Sequence, residues 1–276
     1  MASAAIEGAA ISALKSVMFR VRQAAERSGV LPEAVRVVAV SKTKPVGVIR
    51  DVYDAGHRCF GENYVQEIVE KAPQLPSDLE WHFIGHLQSN KVKTLLGGVP
   101  NLAMVEGVDN KKLANILDRV VSDLKRNPLK VLVQVNTSGE ASKSGVEPSN
   151  CVELVEHVKT HCRNLQFSGL MTIGMPDYSS IPENFRTLAK CRSDVCEATG
   201  LREEHCELSM GMSGDFEQAV SAYFDAFALS LPSRGLLMCR LKWEVLAFES
   251  GLPYLGLAII LRKSPICNYA IIFILN

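Results

Sequence analysis

The chain has 276 residues, with 30 Lys+Arg against 30 Asp+Glu, 47 % hydrophobic residues and 22 % charged residues. A formal net charge of zero gives no overall field to draw in nucleic acid or anionic lipid, and the apolar content excludes a disordered tail protein. The length suits one large domain or two small ones, and it can bury a core without disulfide support.

Met1 to Leu14 is rich in Ala and Ser but contains Glu7, and no long apolar run follows a basic start. A secretory signal is therefore not expected, and the chain reads as cytoplasmic. From about residue 35 to about residue 213, β-branched runs alternate with amphipathic stretches. Val35 to Val40 reads as a buried strand, and Val46 to Ala55 as a helix stopped by Gly56. Cys59 to Asn63 is a second strand, followed by a helix from Tyr64 to Lys71. Trp81 to Gly85 and Asn101 to Val108 are the third and fourth strands, with a helix over Ser89 to Leu96 between them. Asn110 caps a helix to Lys125, and Lys130 to Asn136 is the clearest strand. Pro148 to Cys162 is helical, Leu165 to Thr172 a strand, Glu183 to Ala198 a helix, Cys206 to Met210 a seventh strand, and Asp215 opens a further helix.

Repeated βα units predict a parallel sheet with crossover helices. Polar and glycine-bearing segments recur just after the strands, at Ser41 to Lys44, Glu62-Asn63, His86, Asn136 to Lys143 and Ser209 to Asp215. A closed barrel brings such positions to one rim, where barrel active sites form. No Gly-x-Gly-x-x-Gly follows the first strand, so a dinucleotide-binding sheet is disfavoured. From about Ser221 the alternation breaks into apolar runs over 227–238, 251–261 and 265–276, the last two too short to span a membrane.

The eight cysteines lack a C-x-x-C pair and read as scattered reduced thiols. His82 and His86 flank Phe83-Ile84-Gly85. Alternation makes His82 a barrel-interior or helix-facing residue and leaves His86 near the mouth. A metal site is not expected, because no third His or carboxylate shares their spacing. Lys42 lies just past the first strand, where a desolvated amine can form a Schiff base with an aldehyde; a solvated surface lysine is the competing reading. Asn63 can offer an amide to a ligand or cap the helix at Tyr64. Asn136 to Glu140 has turn chemistry of its own. Ser209 to Asp215 exposes backbone N–H groups and a Ser hydroxyl to an anion, with Asp215 as helix cap. A lysine after the first strand and an anion loop after the seventh fit a phosphorylated aldehyde.

Six strings carry a family resemblance: Ala39 to Pro45 (AVSKTKP), Phe60 to Glu67 (FGENYVQE), Trp81 to Lys91 (WHFIGHLQSNK), Lys143-Ser144-Gly145, Gly169 to Thr172 (GLMT) and Leu208 to Ser213 (LSMGMS). In order and spacing the chain resembles the pyridoxal phosphate homeostasis proteins, also called the proline synthase co-transcribed family, from about residue 10 to about residue 220. The resemblance implies a (β/α)8 TIM barrel of the alanine racemase N-terminal type. It implies pyridoxal 5′-phosphate (PLP) carried as a Schiff base on Lys42. Asn63, His86 and Met171 match positions lining the cofactor pocket, and Met212 and Ser213 match its phosphate loop. It further implies a non-catalytic, monomeric role in cofactor homeostasis, with PLP-dependent apo-enzymes as partners. A racemase- or decarboxylase-like enzyme and a non-functional variant are the alternatives.

The family's Gly-Ser/Thr-x-x-Arg-x-Gly segment, which forms the eighth strand and supplies an Arg to the phosphate, has no counterpart here. Ser233-Arg234-Gly235 is the nearest fragment, at the wrong spacing. The expectation is a PLP-binding barrel over residues 1–220 and a divergent apolar tail over 221–276 that is not a separate domain. The barrel is expected to lack its regular eighth strand and to leave its first and seventh strands with unpaired edges, the alternative being that a tail segment such as Leu257 to Leu261 fills the gap. Loss of a charge-assisted Arg–phosphate pair predicts at least about tenfold weaker cofactor binding.

Overall fold

The β-branched runs become seven short strands, β1 (Val37–Val40), β2 (Cys59–Glu62), β3 (Glu80–Phe83), β4 (Leu102–Val108), β5 (Leu129–Gln134), β6 (Leu165–Met171) and β7 (Glu207–Ser209). Each is parallel to the next in chain order. The computed structural model describes residues 2–29, 31–140, 143–173 and 181–227, with three further strands at 236–241, 257–260 and 271–274. The helices are α1 (Ala2–Arg27), α2 (Val46–Asp54), α3 (Val65–Lys71), α4 (Val92–Gly98), α5 (Lys111–Asp123), α6 (Cys151–His161), α7 (Ile181–Thr199) and α8 (Phe216–Phe227).

Alternation along the strands sorts the core. A Cβ on Gly61 would stand 2.5 Å from Ile84 Cδ1, 2.9 Å from Val40 Cγ2 and 3.1 Å from Val38 Cγ1, so these residues share the barrel interior. Cys59, Glu80 and His82 lie on that same face by the two-residue period. Phe60, Trp81 and Phe83 take the opposite face beneath the helices, with the Phe60 and Trp81 rings 6.2 Å apart. All three are almost fully buried, and truncating any of them to Ala removes about 3–5 kcal/mol. The helix ends follow their sequence signals. Asn110 accepts the Leu113 N–H at 2.8 Å, and Gly56, at φ 100°, follows the last turn of α2.

The N-terminal helix was not legible as such. Its Ala-rich sequence hides a face of Ala10, Ala13, Leu14, Val17, Val21 and Ala24 that is buried, with the helix packed against α2 and α8. Arg20 fixes it to α8, pairing with Glu217 at 3.1 Å and lying 4.7 Å from the Phe216 ring centroid.

The tail departs from one expectation. No single regular strand stands between β7 and β1. Instead β8 (Leu236–Leu241) pairs parallel with β7, β9 (Leu257–Ile260) pairs antiparallel with β8, and β10 (Ile271–Ile274) pairs antiparallel with β9 and parallel with β1. The sheet thus closes, and the expected unpaired edges on β1 and β7 are not found. The reason is compositional. β-branched and aliphatic segments such as Ile271-Ile272-Phe273-Ile274 satisfy an open strand edge through backbone hydrogen bonds, whatever sequence the position held elsewhere.

Candidate functional site

Because β1 to β7 are parallel, their carboxyl ends form one rim, and the polar segments singled out from the sequence gather there. Lys42 is half-buried in a tight turn that closes with Lys44 N–H donating to Ser41 O at 3.0 Å. The residue after it, Thr43, sits at φ 63°, a left-handed conformation that a β-branched side chain adopts only under constraint.

The constraint is visible. Glu67 Oε2 accepts the Thr43 N–H at 2.7 Å. Lys71 Nζ donates to Ser41 O and to Glu62 Oε1, both at 2.7 Å, and also reaches Glu67. Ser41 Oγ donates to Glu62 Oε1 at 2.7 Å. The Glu62 carboxyl is pushed above its ordinary value by burial, a push that Lys71 opposes. Burial, and then the Lys71 charge, hold the Lys44 ammonium below its ordinary value. Sequence reasoning missed this network. Only its Glu67–Lys71 pair, four residues apart on α3, left a signal in the spacing.

Asn63 follows β2. The expected role as helix cap is overturned: α3 starts at Val65, and its N-cap position is Tyr64, which makes no side-chain cap bond. Asn63 Oδ1 is instead buried without a hydrogen-bond partner. Its backbone is pressed by the β3 end, since a Cβ on Gly85 would lie 2.0 Å from Asn63 O. His86, next along, is exposed, with Nδ1 3.1 Å from Ser144 Oγ and 3.6 Å from Asp109 Oδ2. Met171 ends β6 and is fully buried. The segment Asn136 to Glu140 is self-satisfied, with Asn136 Nδ2 donating to Glu140 O at 3.0 Å and Ser138 Oγ to Asn136 Oδ1 at 3.0 Å.

After β7, Met212 is half-buried and Ser213 buried. Asp215, immediately before α8, reaches back to accept the Met212 N–H, which folds the loop over itself. The Ser213 hydroxyl is left buried without a partner. Two orphaned buried oxygens, Asn63 Oδ1 and Ser213 Oγ, thus lie on the rim that also carries Lys42. An unpaired buried polar atom costs about 1–3 kcal/mol, which a polar ligand can recover. An aldehyde, a ring heteroatom and a phosphate suit an amine, an amide and a hydroxyl, so these residues fit PLP. The family's phosphate-binding Arg has no described equivalent, because 228–235, with Ser233-Arg234-Gly235, lies outside the described residues. A large cleft of about 1240 Å3 lies at the opposite rim, lined by strand-start residues such as Glu80, Leu129 and Glu207.

The family profile described as "Alanine racemase, N-terminal domain" matches residues 13–228. The pyridoxal phosphate homeostasis protein of Mus musculus is 49 % identical over 222 residues, covering 75 % of this chain and 80 % of the mouse protein. This chain belongs to the pyridoxal phosphate homeostasis protein family. The family read from the six strings is therefore the right one. PipY of Synechococcus elongatus, in a structure described as having PLP bound, is 31 % identical with a TM-score of 0.60, covering 74 % of this chain and 92 % of PipY. Alanine racemase of Bartonella henselae, at 11 % identity and TM-score 0.56 over 79 % of this chain and 55 % of the racemase, shares the fold. Among the described residues no helix is long and apolar enough to cross a membrane.

Proposed function

We propose that this chain binds PLP on Lys42 and holds it in reserve, as a non-catalytic carrier that takes part in cytoplasmic PLP homeostasis. The observation that carries this reading is the pair of buried, unpartnered oxygens, Asn63 Oδ1 and Ser213 Oγ, on the same strand-end rim as Lys42. The names of the curated relatives and the PLP-bound PipY structure support it.

When bound, PLP supplies an aldehyde that condenses reversibly with amines. The Lys42 amine takes that carbonyl, and the strained turn at Thr43 holds the amine's backbone in place. The Asn63 amide meets a polar ring substituent. The Ser213 hydroxyl donates to the phosphate, while the Met212–Asp215 clasp keeps the loop folded. His86 and Met171 line the pocket. The barrel of residues 1–220 holds every one of these groups, and 221–276 serves closure only. A catalyst of this type needs an acid or base on the far face of the cofactor, and the reading assigns none. The chain acts as a monomer that passes PLP to apo-enzymes.

The test is addition of PLP to the purified chain, followed by borohydride reduction and peptide mapping. The expected result is visible absorbance above that of free PLP and a reduced adduct on Lys42. An adduct spread over surface lysines, or undiminished binding in Lys42→Ala, overturns the proposal. Stereospecific racemisation of an amino acid by the loaded chain would overturn the carrier role alone.

A further inference from the structure

At the strand-start end of the barrel, opposite the Lys42 rim, three donors of different chemistry meet. Cys59 begins β2 and Glu80 begins β3, and the two are direct cross-strand partners. His82 is two residues beyond Glu80 on the same face. The Cys59 thiol sulfur, a Glu80 carboxylate oxygen and a His82 ring nitrogen all lie within 4.8 Å of one another. Around a tetrahedral zinc ion such donors stand about 3.3–3.8 Å apart, so closure on an ion asks for side-chain movements of about 1 Å. The backbone need not move.

The second observation is the state of His82. Its side chain is 1 % exposed, Nδ1 lies 2.7 Å from Glu106 Oε1, and Nε2 is buried with no hydrogen-bond partner. Ser209 Oγ donates to the other Glu106 oxygen at 2.9 Å. A carboxylate on one imidazole nitrogen fixes the tautomer with the proton on that side and leaves a lone pair on the other. This is the outer arrangement that orients metal-binding histidines. Burial holds the Cys59 thiol well above its ordinary value, with the Arg36 guanidinium opposing and the Glu80, Glu106 and Glu207 carboxylates adding to the rise. Arg36 is engaged by Glu207 at 2.7 Å.

We propose that Cys59, Glu80 and His82 form a binding site for a divalent transition metal, best matched by zinc, with Glu106 as the positioning residue behind His82. The mixed sulfur, nitrogen and oxygen set suits a borderline-soft ion and excludes calcium and magnesium, which take oxygen ligands. Three protein ligands leave a fourth position for water. Glu80 and His82 also line the cleft of about 1240 Å3, which provides the entry path. The spacing of His82 and His86 hid this site from sequence reasoning, because its sulfur comes from the neighbouring strand. Binding displaces the thiol proton to solvent, so affinity rises with pH.

The test uses the full chain, stripped with EDTA, desalted, and titrated with zinc chloride and separately with cobalt chloride, without PLP. The expected result is one ion retained per chain, with a thiolate-to-cobalt charge-transfer band. Cys59→Ser, which keeps the side chain's shape, abolishes that band and weakens zinc binding at least about tenfold. Glu106→Gln weakens it about 10–100-fold, and Lys42→Ala leaves it unchanged. Circular dichroism establishes that each variant is folded. If Glu106→Gln fails to fold, Cys59→Ser decides alone. No retained zinc overturns the proposal. So does zinc binding that survives Cys59→Ser and disappears in His157→Ala/His161→Ala, the α6 pair whose rings stack 4.8 Å apart.

Discussion

Replacing Lys71 with Met keeps most of the side chain's volume and removes the cation from the network beneath Lys42. The Glu62 side chain is 0 % exposed and that of Lys71 10 %, so Glu62 would be left buried with only the neutral donors Ser41 Oγ, at 2.7 Å, and the Asn63 N–H, at 3.3 Å. Breaking a buried pair from one side costs about 3–5 kcal/mol. The cost is limited by protonation. Burial already pushes the Glu62 carboxyl upward, and without Lys71 it rises further. A carboxyl whose folded value lies above its unfolded one binds more protons when folded, so the variant's stability falls as pH rises. The expected deficit is about 3 kcal/mol near pH 8, shrinking towards about 1 kcal/mol near pH 5. Urea unfolding of parent and variant across that range measures it. Glu62→Gln/Lys71→Met should recover at least about half of the loss, because no charge is then stranded. A deficit below about 1 kcal/mol at every pH, or one that grows as pH falls, would refute the reasoning.

Four further outcomes follow from the same geometry. Ser213→Ala removes an orphaned hydroxyl, so it should leave the PLP-free chain as stable or up to about 1 kcal/mol more stable, while PLP affinity falls about tenfold; thermal melts and absorbance titrations report the two effects separately. Gly85→Ala drives a Cβ to 2.0 Å from Asn63 O, which must shift backbone, and both stability and PLP binding should drop. Thr43→Gly relieves a left-handed residue, with a net gain of about 0–2 kcal/mol after the entropy of glycine is charged against it, measured by urea unfolding. Burial lowers the His57 imidazole from 6.5 to about 4. The unfolded chain binds that proton first, so stability declines as pH falls through this window, on the order of 2 kcal/mol after discounting partial exposure; His57→Gln should flatten that part of the stability–pH curve.

The strands and helices of residues 35–220 were readable because each carries its own periodicity and punctuation. Asn110 started α5 and Gly56 stopped α2 where the residue types said they would. The α1 helix was not readable, since its buried face is mostly alanine and resembles a low-contrast leader. Of the two roles read for Asn63, ligand amide and helix cap, the cap fails because Asn before a helix is ambiguous until the start residue is known, and the helix begins two residues on. Leu257 to Leu261 was legible as one segment that could close the sheet, but the incomplete barrel was the favoured reading and the three-strand closure by β8 to β10 was not. Edge pairing depends on backbone groups, which every non-proline residue carries, so an apolar segment does not announce which gap it will fill. The Lys42 turn was located from its strand-end position, but the Lys71, Glu62 and Glu67 network that constrains it joins three elements and has no local signature.

The chain from His82 through Glu106 to Ser209 joins β3 and β4 to β7 across the barrel. It behaves as a spoke in a wheel. Removing Glu106 would therefore cut two cross-barrel ties at once and leave His82 Nδ1 and Ser209 Oγ buried without those partners.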